Sequence, residues 1–243
     1  MRIEEAVIII TGASSGIGEA TARAAFHAGA RPVLLARRED RIARLAAELG
    51  NALPVRCDVT DKAQVAAAVQ SAQKRYGRID VLINNAGQGL EAAVEDIGIE
   101  DFRDLLNLNL VAPLITMQAV IPHMRAQGGG SIVNVSSGIT FFPRPHSGAY
   151  NSSKTGLNML SSVARAELAE EGIVVSTMLP FVTATEFNDA LKAGREAAKE
   201  EAATSASFAH APDRVAQKIL DLIRSGNERA DLVPQRFGGS FEE

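Results

Sequence analysis

The sequence has one cysteine, Cys57, which excludes an internal disulfide and any cysteine-cluster metal site. Cys57 closes an apolar run, where a buried and inert thiol is the ordinary reading. The four histidines, His27, His123, His146 and His210, show no HExxH or other ligand spacing, so no metal is expected. A dominant charge is lacking as well. The formal net charge is −4, and no face or run is dominated by lysine and arginine, which argues against nucleic acid as a partner. The pair Arg37-Arg38 is followed at once by Glu39 and Asp40, a local feature and no polybasic patch. Long uncharged apolar runs are missing too. The first run, Ala6 to Thr11, is too short for a signal h-region and far too short to cross a bilayer. No membrane partner is expected, and the cytoplasm is the expected location.

What is present suits an ordinary folded domain: 243 residues, 46% hydrophobic and 22% charged, enough to bury a substantial core. Short β-rich runs recur at Ala6–Thr11, Arg31–Ala36, Leu53–Cys57, Ile79–Asn84, Ser131–Ser136, Ile173–Leu179 and Ala230–Pro234. Between them lie the helical stretches Ile17–Ala28, Asp40–Leu49, Asp61–Tyr76, Glu100–Arg125, Tyr150–Glu170 and Pro212–Ser225. Runs of Val, Ile and Leu without alternation suit strands covered on both faces. The alternation of strand and helix predicts an α/β fold: one doubly wound parallel sheet of about seven strands with helices on both faces. No Pro/Gly/Ser linker divides the chain, so a single domain over residues 1–243 is expected. The alanine-rich, charged segment 186–207 has no strand of its own, and reads either as a substrate lid or as a solvated surface helix.

After the first strand comes Thr11-Gly12-Ala13-Ser14-Ser15-Gly16-Ile17-Gly18, opening directly into a helix. Glycines let the backbone approach a pyrophosphate, and a helix N-terminus offers unpaired N–H groups and the positive end of its dipole. The strand–loop–helix context makes this a Rossmann-type dinucleotide site, with Gly12, Ser14, Ser15, Gly16, Ile17 and Gly18 as its phosphate loop. A carboxylate at the end of the second strand would bind the 2′-hydroxyl of NAD. Here stand Ala36, Arg37 and Arg38. A guanidinium can fork onto a 2′-phosphate, with Ser14 close enough to add a hydroxyl, so NADP(H) is expected in preference to NAD(H). The competing reading is two solvated charges opening a helix.

Taken in order, these residues resemble the short-chain dehydrogenase/reductase family from about residue 5 to 185. The resemblance rests on the loop at 11–18, Asp58, Asn84-Asn85-Ala86-Gly87, Asn109, Ser136-Ser137 and Tyr150-Asn151-Ser152-Ser153-Lys154. It implies that Asp58 and Val59 flank the adenine, and that Asn85, Ala86 and Gly87 lie by the adjoining ribose. It implies a catalytic tetrad of Asn109, Ser137, Tyr150 and Lys154, with Ser136 as the competing serine. Tyr150 and Lys154 would also touch the nicotinamide ribose. Pro180, Thr183 and Thr185 would face the carboxamide and phosphates, and the long helices would pair in a homodimer or homotetramer. Two features depart from the family pattern. Phe181 stands where a glycine is usual, and Ala230–Glu243 lacks the ending of fatty-acid-type 3-oxoacyl reductases.

The chemistry needs a hydride and a proton. A free tyrosine has a pKa of about 10, and a nearby cation lowers it. Lys154 shares a helix face with Tyr150 at i+4. The resemblance gives Lys154 the ribose hydroxyls, Asn109 a water relay, and Ser137 the substrate oxygen. The substrate is expected to be an uncharged ketone or aldehyde of moderate size, or the corresponding alcohol, near Leu90, Ile139, His146, Phe181 and Phe187, with Phe141, Phe142 and Arg144 close by. The expected activity is an NADPH-dependent carbonyl reductase or alcohol dehydrogenase. One alternative is a non-catalytic NADPH sensor or scaffold on the same fold. The other is an epimerase or dehydratase, for which the 60 residues after Thr183 are too few to form a separate sugar-binding domain.

Overall fold

The computed structural model describes residues 1–187 and 209–242. Seven strands form one parallel sheet: β1 (Val7–Thr11), β2 (Arg31–Ala36), β3 (Leu53–Arg56), β4 (Val81–Asn84), β5 (Gly130–Val135), β6 (Ile173–Leu179) and β7 (Arg229–Asp231). Their spatial order is β3-β2-β1-β4-β5-β6-β7. Every residue of β1 and β4 is buried, because helices cover both faces and no strand position is left for water. Among the described residues the α-helices are α1 (Gly16–His27), α2 (Glu39–Leu49), α3 (Lys62–Tyr76), α4 (Ile99–Leu106), α5 (Ala112–Ala126), α6 (Gly148–Leu168) and α7 (Pro212–Ser225).

The pleat sends alternate residues into two cores. Ile8, Ile10 and Leu34 pack with Ile42 of α2 and Ile219 of α7 on one side. Ile9, Val33 and Leu82 pack with Val69 of α3, Val120 of α5 and Leu168 of α6 on the other. Strand order reverses at β1, which pairs with β2 on one edge and β4 on the other. In such sheets the crevice beyond that reversal, at the carboxyl ends, takes the ligand.

Two elements differ from expectation. The helix expected as one piece over Glu100–Arg125 is α4 and α5 joined by a π-helical turn, Asn107–Val111. Pro113 has no N–H to give to the Asn109 carbonyl, so the ladder widens just ahead of it. Together Ile99–Ala126 is long and apolar enough by composition to cross a membrane, at a mean hydropathy of 1.5. It lies on the sheet instead, with Met117, Val120 and Met124 buried. The seventh strand ends at Asp231, because that carboxylate accepts from the Val233 N–H at 3.1 Å and the Ser240 N–H at 2.9 Å and turns the chain. The expected lid, 186–207, lies outside the described residues from position 188 onward.

Candidate active site

A cavity of about 1000 Å³ opens at the carboxyl ends of the central strands. Its floor is the loop between β1 and α1. Gly12 takes a φ of 67°, and a Cβ there would sit 2.9 Å from the Ala86 Cα. A Cβ on Gly18 would lie 2.3 Å from the Gly12 carbonyl oxygen, so Gly18 keeps α1 tight beneath the loop without lining the cavity. The Thr11 hydroxyl accepts from the Asn85 N–H (2.9 Å) and the Ala86 N–H (3.0 Å), which locks the loop after β4 against the loop after β1. Gly12, Ser14, Ser15, Gly16 and Ile17 line the cavity with Asn85, Ala86 and Gly87. This bare backbone floor at a helix N-terminus, under a cavity of that size, fits a dinucleotide and a small second molecule.

At the far end the wall holds Ala36, Arg37, Arg38, Asp58 and Val59. Burial raises the Asp58 pKa, but the Thr60 side-chain and backbone hydrogen bonds and the charge of Arg37 outweigh it and hold the carboxyl below its ordinary range. Arg38 donates to the hydroxyls of Ser14 (3.0 Å) and Ser15 (2.6 Å). It also reaches the Glu186 carboxylate at 3.4 Å, and Arg41 meets the same carboxylate at 2.8 Å.

The four expected catalytic side chains converge from separate elements. Tyr150 and Lys154 lie in the first two turns of α6, with the ammonium 5.9 Å from the phenol ring centre. Ser137 begins the 3-10 turn after β5 and hydrogen-bonds the Tyr150 hydroxyl. Its neighbour Ser136 turns the other way and donates to the Lys154 carbonyl at 3.3 Å. Burial pushes the Tyr150 pKa up to about 12, opposed by the Ser137 hydrogen bond. Burial pulls Lys154 down to about 8, and its ammonium donates to the Val135 carbonyl at 2.9 Å. Asn109, fully buried in the π turn, donates to the Gln88 carbonyl (2.8 Å) and accepts from the Gln88 N–H (3.0 Å). Gly87 has only hydrogen where a Cβ would sit, 3.3 Å from the Asn109 Oδ1 and 3.4 Å from the Lys154 Nζ. Asn109 therefore clamps the backbone beside Lys154 from behind the cavity wall.

Leu90, Ile139, Pro180, Phe181, Thr183, Thr185 and Phe187 all line the cavity. The Phe187 ring lies 5.7 Å from that of Tyr150. Phe181, in place of glycine, stacks on Phe237 at 5.6 Å, and Phe237 also meets Phe142 at 5.3 Å. His146 corrects an expectation. It is exposed, takes a φ of 65°, and contributes its backbone carbonyl to the Ala92 N–H, so the ring is not part of the cavity wall. Sequence reasoning missed Glu91, Glu186, Arg236 and Phe237, all of which line the cavity. For the last two a signal existed, since a chain leaving a parallel β7 emerges at the same carboxyl edge as the site.

The model of the family described as "short chain dehydrogenase" matches residues 6–196. D-threitol dehydrogenase of Mycolicibacterium smegmatis is 34% identical over 242 residues, 93% of each chain. The solved 3-ketoacyl-(acyl-carrier-protein) reductase of Brucella melitensis, complexed with NADH, aligns at a TM-score of 0.86 and 28% identity, covering 95% of this chain and 97% of that one. A short chain dehydrogenase/reductase of Burkholderia phymatum, in complex with NAD, shares the fold at a TM-score of 0.91 and 24% identity, covering 98% and 92%. The expected preference for NADP(H) over NAD(H) is thereby corrected, since the similar Brucella reductase carries NADH. The physical reason is local. Ala36 leaves no carboxylate on β2, but Glu186 brings one to Arg38 and Arg41 from beyond β6.

Proposed function

The chain belongs to the short chain dehydrogenase family of oxidoreductases, and on that premise we propose that it moves a hydride reversibly between NAD(H) and a ketone, aldehyde or alcohol, with Tyr150 as acid and base. The observation that carries this reading is the Ser137–Tyr150 hydrogen bond beside the Lys154 ammonium, in the same cavity as the glycine loop.

In this reading the glycine loop holds the pyrophosphate, and Asp58 and Val59 flank the adenine. Asn85, Ala86 and Gly87 border the ribose, and Pro180, Thr183 and Thr185 border the nicotinamide, which supplies the hydride when bound. Ser137 orients the substrate oxygen. With a pKa near 12, Tyr150 carries its proton at neutral pH and is ready to protonate a developing alkoxide. In the opposite direction it must lose that proton. Lys154, still mostly charged at pH 7 with a pKa of about 8, makes that loss easier. Asn109 holds the Gln88 backbone and so keeps the loop after β4 in place against Lys154. A sensor or scaffold would have no use for a serine and a lysine held in register with a buried tyrosine, which favours the enzyme. Exposed apolar residues on the π turn and neighbouring helices, Val111, Leu114, Met159 and Val163, support pairing of copies through α5 and α6 as a homodimer or homotetramer.

The test is a panel of carbonyls and alcohols followed by nicotinamide absorbance. Tyr150→Phe should lower turnover by about 10²–10⁴-fold, the worth of a positioned acid, while calorimetry still shows NADH binding. Turnover within a few-fold of the parent enzyme would refute the role given to Tyr150.

A further inference from the structure

Ser137 owes its position to the 3-10 turn Gly138–Phe141, and a turn of that length holds itself poorly. The last carbonyls of such a turn find no partner within it. The Ser137 hydroxyl oxygen caps the turn by accepting from the Ile139 N–H at 3.2 Å, and the same hydroxyl meets Tyr150. One group thus serves two purposes, and a slip of the turn moves the hydroxyl that faces the phenol.

What steadies the turn comes from α6. The Asn151 side chain donates to the Ile139 carbonyl at 2.9 Å and to the Phe142 carbonyl at 3.3 Å. One helical turn on, the Thr155 hydroxyl donates to the Asn151 Oδ1 at 3.1 Å and leaves the amide N–H groups for those two carbonyls. Asn158, a further turn along the same face, donates to the Thr140 hydroxyl at 3.2 Å, which donates in turn to the Ser137 carbonyl at 2.9 Å. Asn151 stands nearer the chemistry. Ile139 gives its N–H to Ser137 and its carbonyl to Asn151, so a single residue separates the amide from the serine hydroxyl. Asn151 also follows Tyr150 directly in the first turns of α6, so phenol and clamp move as one body. Its side chain does not line the cavity, whereas Ile139 and Phe142 do.

We propose that Asn151 is a positioning residue for proton transfer: through the Ile139 and Phe142 carbonyls it keeps the Ser137 hydroxyl in register with Tyr150. The proposal rests on the oxidoreductase reading above.

Two readouts test it on the full chain loaded with NADH. Hydrogen exchange by NMR follows the Ile139 amide, whose bond to Ser137 reports the register without turnover. Asn151→Ala should speed that exchange by at least about tenfold while amides in the middle of α6 keep their rates. The second readout is reduction of pentan-2-one, or of the fastest ketone of the panel where that is another, by the parent, Asn151→Ala, Ser137→Ala and the double variant. Asn151→Ala should lower kcat by at least about tenfold with NADH affinity held within about twofold, because a misplacement of about 1 Å can cost about a hundredfold. In the Ser137→Ala background the same change should cost less than about threefold, since the group it positions is gone. A merely structural asparagine would give equal losses in both backgrounds. Asn151→Leu, similar in shape and without the donor, takes the place of the alanine if that variant fails to fold. A parent that turns over no member of the panel overturns the oxidoreductase reading, and the exchange rate then judges the clamp alone, as it does where Ser137→Ala is too slow to follow. Unchanged Ile139 exchange, or a loss undiminished in the double variant, overturns the proposal.

Discussion

Lys154 is 4% exposed, and its burial lowers its pKa from the ordinary 10.5 to about 8. Because the folded value is the lower one, the unfolded chain binds more protons across the interval between them. Stability therefore rises with pH in that window, and the whole cost of the buried charge is present below about pH 8. For a shift of that size the cost is about 3 kcal/mol at pH 7 and about 1 kcal/mol at pH 9.5. Lys154→Met keeps a side chain of similar length and abolishes the titration. The variant also loses the Val135 hydrogen bond, a term that displaces its stability but does not bend it with pH in this way. Cys57, near 11, and Tyr150, near 12, titrate largely above the window and are common to both proteins. Denaturant unfolding of parent and variant at pH 7 and pH 9.5 should show the difference moving in favour of the parent by about 2 kcal/mol, or about 4–8 °C in Tm. A difference constant to within about 0.5 kcal/mol would mean that Lys154 titrates as an ordinary lysine, and the account of its burial would be wrong.

The sheet was legible because its central strands are wholly buried. A run such as Val7–Thr11 has no polar position to spare, and only a parallel sheet with two helical layers gives every residue of that run a dry neighbour. The π turn was harder to read. Its cause, Pro113 without an N–H opposite the Asn109 carbonyl, is written in the sequence, but the helical period runs through it undisturbed. The end of β7 depended on where Asp231 sends its carboxylate, a contact with Ser240 that hydrophobic pattern does not encode.

Within the site, local spacing carried the reading as far as it could. Tyr150 and Lys154 meet because four residues make about one turn of α6, and Ser136 and Ser137 diverge because successive residues leaving a strand face opposite ways. Contacts made across the fold were not available in this manner. The NADP(H) expectation weighed Ala36, Arg37 and Arg38 with Ser14, all close together in the chain, and the Glu186 carboxylate that meets the Arg38 guanidinium lies 148 positions further on. Phe181 looked like an intrusion at a glycine position. It is accommodated because Gly138, beside it, carries no side chain, and because Phe237 returns from the C-terminal segment to stack on it.

Two substitutions probe these long-range contacts. Gly18→Ala would place a methyl 2.3 Å from the Gly12 carbonyl oxygen, a backbone atom that must shift, so calorimetric affinity for NADH should drop by at least about tenfold with the fold intact. Unchanged affinity would detach the glycine loop from cofactor binding. Phe237→Ala removes the ring shared between Phe181 and Phe142, aromatic pairs worth about 0.5–1.5 kcal/mol each. Its backbone should stay, because the segment is pinned by the Phe241 N–H to the Val233 carbonyl at 3.0 Å and by the Asp231–Ser240 contacts. KM for an apolar ketone such as pentan-2-one should then rise about tenfold, while kcat and NADH affinity hold, since among the described residues the ring that meets Tyr150 is Phe187. A fall in kcat at unchanged KM would place Phe237 in the positioning of Tyr150 instead of in the wall of the cavity.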